Sequence, residues 1–406
     1  MRKFNTVRAL GAAATAALSA LALTACATGG ASADAAGASG GLVELTDEDQ
    51  VEIVFESYNL GTGGLWEDAI NGLIEEFEAE HPNIDVTGQD ALDAHFGGEY
   101  PFHERARVLA DIDGSTTALP YVVSTPVLWI NESILEDAGI DPDTMDVSTW
   151  ESLSQVAQQV TEKTGKPALN MPCVVTGGSW CMQGLFFSNG ARMISEDRST
   201  IEFGSPEAVE TVEFFKGMYE DGTLSNEAEM TQYEDFARGD TVAFQLTTSA
   251  VQSMFMGGAE TNGWTLDTSY MPQFGDKEAA PTNSGSALVL LAQDPKKQAA
   301  AWEFMKFMTS DRAYEVITTE IGYLPLRSTM TENGGPLHAW VQKNPLVEVN
   351  LEQLDKLVPT VAYPGQQFTE VDRVLDTAIQ DAIFQGQDPA VTLPDAASRA
   401  QDYIEE

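Results

Sequence analysis

Basic residues are scarce in this chain: 21 Lys and Arg stand against 63 Asp and Glu, a formal charge of −42. Phosphate groups would approach a repulsive field, and no basic cluster offsets it, so nucleic acid and anionic lipid are excluded as partners. Histidine is rarer still. The four, His81, His95, His103 and His338, are scattered; only His95 and His103 with Glu99 and Glu104 approach a ligand set, and solvated loop positions suit them better. Of three cysteines, at 26, 173 and 181, none has a histidine close by in sequence, which leaves zinc short of ligands. No metal and no cofactor is expected. The chain has no internal repeat, and its apolar run from Ala9 to Leu23 is too short for a comfortable bilayer span.

Catalytic signatures are missing too. The stretch "GTGG" at Gly61 to Gly64 follows a strand and opens a helix, but Gly61, Gly63 and Trp66 fail the dinucleotide pattern and no Lys-Ser/Thr follows. Its amides could still read a ligand hydroxyl, or the stretch is a simple turn. "DIDG" at Asp111 starts like a calcium loop, yet position 12 would be Val122 where a bidentate Glu is needed. "TNSGSAL" lacks a nucleophile elbow. With 63 carboxylates almost any acid/base pair can be drawn, so a secreted glycoside hydrolase stays open as an alternative without a motif behind it.

What is present begins at the N-terminus. Arg2, Lys3 and Arg8 precede the Ala9 to Leu23 run, as in a signal peptide. The run ends in Leu23-Thr24-Ala25-Cys26, which resembles the lipobox of bacterial lipoproteins. Residues 1–25 are thus expected to be removed and Cys26 lipidated, anchoring the protein without a spanning helix. Small polar residues follow, so 26–45 read as a lipidated cysteine and a flexible tether. Cys173 and Cys181, close together in an oxidising compartment, are expected to form a disulfide, whose short loop contributes roughly 2.5 kcal/mol on the loop-closure argument.

From Val51 a strand, a helix with Ile70, Leu73, Ile74 and Phe77 on one face, and a strand at Ile84 to Val86 predict a β-α-β unit and a parallel sheet. A hairpin is expected on Asp113-Gly114. Ser148 with Glu151 reads as a capping box ahead of a helix closed by Gly165, and Ser205-Pro206 opens another. Helices near 296–309, 367–385 and 388–405 alternate with strands near 241–245 and 286–291. Trp150, Trp302, Phe304 and Phe307 read as core. Tyr58, Trp66, Trp180, Tyr323, Tyr363 and Phe368 instead read as loop aromatics among Asn, Ser, Thr, Gly and Gln. Ring faces beside hydroxyls and amides suit a sugar or polyol.

Several ordered segments resemble the extracellular solute-binding proteins of ABC importers for sugars and glycerol 3-phosphate. They are "LPYVVSTPVLWINESILEDAGIDPD", "STWESL", "FARGDTVAFQLTTSA" and "AAAWEFMKFMTSDRAYEVITTEIGYLPLRS". The resemblance runs from about residue 50 to the C-terminus. It implies an α/β, two-lobed, type II binding-protein fold: lobe one from 46–124 plus 284–326, lobe two from 125–283 plus 327–406, with strands crossing near Ser124 and Ser284. It implies ligand contacts at Tyr58, Asn59, Ser124, Thr125, Trp180, Thr248, Ser249, Ser284, Gly285 and Tyr323, and at Tyr363, where residues 363–367 would close the site. The expected role is capture of a small carbohydrate by a lipid-anchored monomer on the outer face of the cell membrane, for delivery to permease subunits, with no bond made or broken.

Within that family "VSTPVL" and the late "KNP" region most resemble glycerol-3-phosphate binders, so that ligand or a glycerophosphodiester is the alternative. "AYPGQQF", however, lacks the arginine such binders carry there, which favours a neutral carbohydrate. A surface adhesion or scaffold role is a further alternative, opposed by the aromatic set and "GYLP". One departure is large. Between "IDVTGQ" and "HFGGEYPFHE" the relatives carry a helix and sheet elements that this chain lacks after Gln89, so lobe one is expected to be incomplete, with sheet left uncovered.

Overall fold

The computed structural model describes residues 42–57, 59–60, 64–88, 111–112, 115–116, 118–175 and 179–405. Strand β1 (Val51–Phe55), helix α1 (Leu65–Glu80) and strand β2 (Ile84–Gly88) form the predicted unit, with β1 and β2 parallel from Val51↔Ile84 to Phe55↔Gly88. Helix α1 buries Ala69, Ile70, Leu73, Ile74 and Phe77, the stripe that a 3.6-residue period places on one face. Strands β3 (Asp111–Ile112) and β4 (Ser115–Thr116) pair antiparallel, as the hairpin reading requires.

Strand β5 (Leu119–Ser124) leads through one residue, Thr125, into β6 (Pro126–Asn131), and every residue of both strands is buried. This near-continuous apolar run passes from one sheet into another. Strand β5 pairs antiparallel with β10 (Ser284–Leu288), while β6 joins β7 (Leu169–Asn170), β8 (Phe244–Thr248) and β9 (Leu266–Ser269) in the order β7-β8-β6-β9. Pleating sends Leu128 and Ile130 to one face of that sheet and Val127 and Trp129 to the other, and each pair lands in a different hydrophobic cluster.

The helices between and after these strands are α2 (Glu132–Asp137), α3 (Trp150–Thr164), α4 (Pro172–Val175), α5 (Ser179–Ser188), α6 (Pro206–Glu220), α7 (Glu229–Arg238), α8 (Gln252–Asn262), α9 (Pro295–Met308), α10 (Asp311–Val316), α11 (His338–Val341), α12 (Leu346–Leu354), α13 (Phe368–Phe384) and α14 (Pro389–Glu405). Ser205 caps α6 with Pro206 at its first position, and Gly165 closes α3, as expected. The capping box of α3 lies one residue later than predicted. Thr149 and Ser152 exchange the two bonds; the Ser148 hydroxyl turns back to Asp146 at 2.6 Å, and Glu151 accepts from the Gly275 amide.

Two cores sit on either side of the β5/β6 junction. One gathers β1, α1, β2, Leu119, Tyr121 and Val122 with α9, α10 and Tyr323. The larger gathers Leu128 and Ile130 with α3, α5, α6, α13 and α14. Trp150, fully buried and edge-on to Phe215 at 4.9 Å, belongs to the second. Phe304 belongs to the first, where Trp302 and Phe307 pack half-buried at its margin. A smaller cluster of Val123, Tyr314, Leu324, Leu326, Met330, Leu337, Leu354 and Leu357 ties the chain after Tyr323 to the end of β5.

Candidate functional site

The site expected from the sequence lies where β5 gives way to β6 and β10 returns. Ser284 is the register partner of Ser124, and Gly285 of Val123. Gly285 has φ 131°, and a Cβ there would sit 2.0 Å from the Val122 carbonyl oxygen. Only glycine lets the returning strand approach so closely. The Thr248 hydroxyl, at the end of β8, donates to the Ser124 hydroxyl at 2.7 Å, and the Ser249 amide donates to the Thr125 carbonyl at 3.0 Å. Ser124, Thr125 and Ser249 are fully buried, whereas Thr248, Ser284 and Gly285 are half-buried.

Sequence reasoning missed the residue that holds this junction. Gln353 of α12 donates through Nε2 to the Thr125 hydroxyl at 3.1 Å and to the Pro126 carbonyl at 2.6 Å, and its Oε1 accepts from the Met271 amide at 2.7 Å. Three elements thus share one buried amide, and nothing in "NLEQL" sets it apart from the chain's other glutamines.

On the side of the first core, the Tyr323 hydroxyl donates to Asn59 Oδ1 at 3.3 Å, and the next residue, Leu324, donates its amide to the Val123 carbonyl at 2.8 Å. Trp66 packs against the first core and also against the cluster beneath β6, while its indole N–H donates to the Ala250 carbonyl at 3.2 Å. Trp66 and Trp180 sit in the first turns of α1 and α5, not in loops as predicted. The disulfide between Cys173 and Cys181 is formed. Trp180, half-buried against the larger core, accepts through its carbonyl the hydroxyl hydrogen of Thr282, two residues before Ser284.

Tyr363 is placed differently. It is buried in the larger core, edge-on to Phe203 at 6.4 Å, and its hydroxyl has no hydrogen-bond partner among the described residues. Burial first, then Asp372 and Asp376 on α13, push its ionisation well above the usual tyrosine range, so it is a neutral phenol. Asp376 is itself raised to about 7, chiefly by burial and secondarily by Asp372. A cation that the linear reading of "AYPGQQF" did not supply comes from elsewhere in the chain: Arg198 donates to the Ala362 carbonyl at 2.6 Å. His81 stacks on Phe77 and His338 approaches the Thr331 carbonyl at 3.1 Å. Tyr58, His95, His103, Cys26 and the Gln89 junction lie outside the described residues.

Crevices also occur away from the junction. One of about 430 Å³ is lined by Arg192, Glu202 and Ser205 with Pro394 of α14, and it contains none of the side chains gathered at the junction.

The family model of bacterial extracellular solute-binding proteins matches residues 12–349. The chain belongs to this family. It is 24% identical over 311 residues to the sn-glycerol-3-phosphate-binding periplasmic protein UgpB of Escherichia coli K12, covering 72% of this chain and 68% of that protein. Its fold is similar to that of UgpB from Mycobacterium tuberculosis in complex with glycerophosphocholine, with a TM-score of 0.72, 17% identity, and 87% of this chain and 98% of that one covered. It is also similar to the GacH receptor of Streptomyces glaucescens, solved unliganded and with acarbose, with a TM-score of 0.72, 16% identity and coverage of 88% and 99%. The two-lobed α/β fold is therefore that of a solute-binding protein, whose role is to bind substrate for an importer and not to transform it.

Proposed function

We propose that this chain captures a small neutral carbohydrate or polyol at the β5/β6 junction and delivers it to the permease subunits of an importer, acting as a monomer held to the outer face of the membrane through lipid on Cys26. The observation that carries the ligand class is the chemistry of the junction. Ser124, Thr125, Thr248, Ser249, Asn59, Tyr323, Gln353 and Thr282 offer hydroxyls and amides without charge, with Trp66 and Trp180 alongside. Hydroxyls need directional donors and acceptors, and a sugar's C–H face needs a ring. Phosphate would need a cation, and Arg198 meets a backbone carbonyl beside Tyr363 instead.

The lobe limits follow the crossings: 46–124 with 284–326, and 125–283 with 327–406. Closure of one lobe on the other around ligand is the population shift a permease would read. Within lobe two, residues near 328–357 also pack against Val123 and Tyr314, which makes them the strap at the hinge.

The relatives named for glycerol 3-phosphate support a second reading, in which the ligand is a glycerophosphodiester. Calorimetric titration of the purified, unlipidated chain with maltose, glycerol 3-phosphate and glycerophosphocholine separates the two. Trp180→Ala should weaken sugar binding by roughly 1 to 3 kcal/mol and leave melting nearly unchanged; a collapse of melting with affinity kept would make Trp180 a packing residue. For the anchor, Cys26→Ala should move the protein from the membrane fraction into the medium, and unchanged membrane fractionation with labelled palmitate still incorporated would remove the lipid from the reading.

A further inference from the structure

Beside the junction, the Asn350 side-chain amide of α12 donates to Gln252 Oε1 at the start of α8, at 3.4 Å. Both side chains are essentially without solvent exposure. Gln252 Nε2, Asn350 Oδ1 and, one turn before Gln252, the Ser249 hydroxyl have no hydrogen-bond partner among the described residues. A buried polar group left unmade costs on the order of 1–3 kcal/mol, so the amide pair, with the Ser249 hydroxyl one turn away, calls for a further polar partner.

Their position ties them to the site described above. Gln353, which bonds Thr125 and Pro126, lies one turn after Asn350 on α12. Gly322, with φ 123°, lies so close that a Cβ there would come within 2.5 Å of the Ser249 carbonyl and 2.7 Å of Gln252 Cβ. The amide pair therefore lies where α8, α12 and the segment before Tyr323 meet.

The direction of each carboxamide is an assignment, yet the conclusion does not depend on it. As drawn, Gln252 is left with an N–H donor and Asn350 with an acceptor. If both are flipped, Gln252 keeps the acceptor and Asn350 the donor. Either way the pair presents one donor and one acceptor, and Ser249 adds a hydroxyl that can do either. A hydroxyl, or a vicinal pair of them, matches that set because it donates and accepts at once. A phosphate oxygen does not, since the leftover amide oxygen would face it.

We infer that Gln252 and Asn350, with Ser249, form a subsite that reads a hydroxyl, or a vicinal pair of them, on the ligand. This rests on the carbohydrate reading above. The test uses the double variant Gln252→Met and Asn350→Leu, which replaces both amides by apolar groups of similar size, together with the single variant Gln252→Met. Replacing both amides at once leaves neither of them orphaned by the loss of the other. The unliganded double variant should melt at or above the temperature of the parent chain, and in either variant maltose affinity should fall at least tenfold.

A double variant that melts well below the parent would show that the amides are structural, and undiminished maltose affinity would show that they read nothing; either overturns the inference. If the parent binds glycerol 3-phosphate or glycerophosphocholine in place of maltose, the carbohydrate reading fails, while the subsite is still decided by that ligand's own affinity: both carry vicinal hydroxyls, so a tenfold loss in either variant supports it and an unchanged affinity overturns it. If it binds none of the three probes, the carbohydrate reading loses its support, and the melting comparison still decides whether the amide pair is structural.

Discussion

Asp376 offers a quantitative test of how the larger core is held. Its carboxyl sits on α13 one turn after Asp372, and its Oδ1 is buried without a hydrogen-bond partner among the described residues. Burial raises it from the ordinary 3.8 to about 7. The folded protein therefore keeps this proton over a pH range in which the unfolded chain has already lost it. Stability contributed here is fully present below about pH 4 and falls as pH rises toward 7, after which the loss is complete. A shift of about three pH units corresponds to about 4 kcal/mol; discounting for the side chain's remaining contact with water leaves about 2 kcal/mol. Asp376→Asn has the same shape and never ionises. At pH 8 it should be more stable than the parent by about 2 kcal/mol, or about 3 °C in melting temperature for a chain this long. At pH 4 the two should coincide. Urea titrations at pH 4, 6 and 8 followed by far-UV circular dichroism read this as a difference between the chains, which cancels the general self-repulsion of so acidic a protein. Parallel pH profiles, or a variant less stable at pH 8, would refute the reasoning.

Two further outcomes are expected. Gly285→Ala forces a Cβ against the Val122 carbonyl at a backbone angle that L residues rarely adopt, so it should cost about 3 kcal/mol or more by differential scanning calorimetry; a change under about 0.5 kcal/mol would mean the returning strand can slide away. If lobe one is incomplete after Gln89, urea unfolding should be less cooperative than in a relative with the full segment, with the two cores losing structure at different denaturant concentrations. A single sharp transition together with micromolar maltose binding would show lobe one to be sufficient as it stands.

Much of the scaffold was legible because local rules and global packing agree. The period-3.6 stripe of α1, the caps at Ser205 and Gly165, and the buried runs of β5 and β6 each follow from short-range chemistry. The α3 cap slipped by one because Ser148, Thr149, Glu151 and Ser152 are all competent capping residues. Choosing among them depended on Asp146 capturing Ser148 and on the Gly275 amide capturing Glu151, which are contacts outside the helix. The site was legible only through its resemblance to a family. Pattern reading could not have put Gln353, Gln252 and Asn350 beside Ser124, because residues more than a hundred positions apart share no periodicity. Nor could it have buried Tyr363, since "AYPGQQF" reads as a loop and only the folded chain brings Phe203 and α13 onto that ring.

The strands of the first core form two separate pairs. Among the described residues β1 pairs only with β2, and β10 only with β5. Between the two pairs runs a crevice lined by Ile53 to Glu56 on one side, Ala287 to Val289 on the other, and Ala301, Phe304 and Met305 of α9. Val54, in the middle of β1, is 46% exposed. Two strand pairs that share no hydrogen bonds must be held together by side chains. Here rings do that: Phe55 of β1 meets Tyr121 of β5 edge-on at 6.2 Å, and Phe304 of α9 lies 5.0 Å from both Phe55 and Phe77 of α1. Such packing is non-directional and tolerates sliding, whereas a ladder fixes register. The first core thus rests on side-chain packing where the second draws on a four-stranded sheet, and that asymmetry is the physical reason to expect the two to unfold apart.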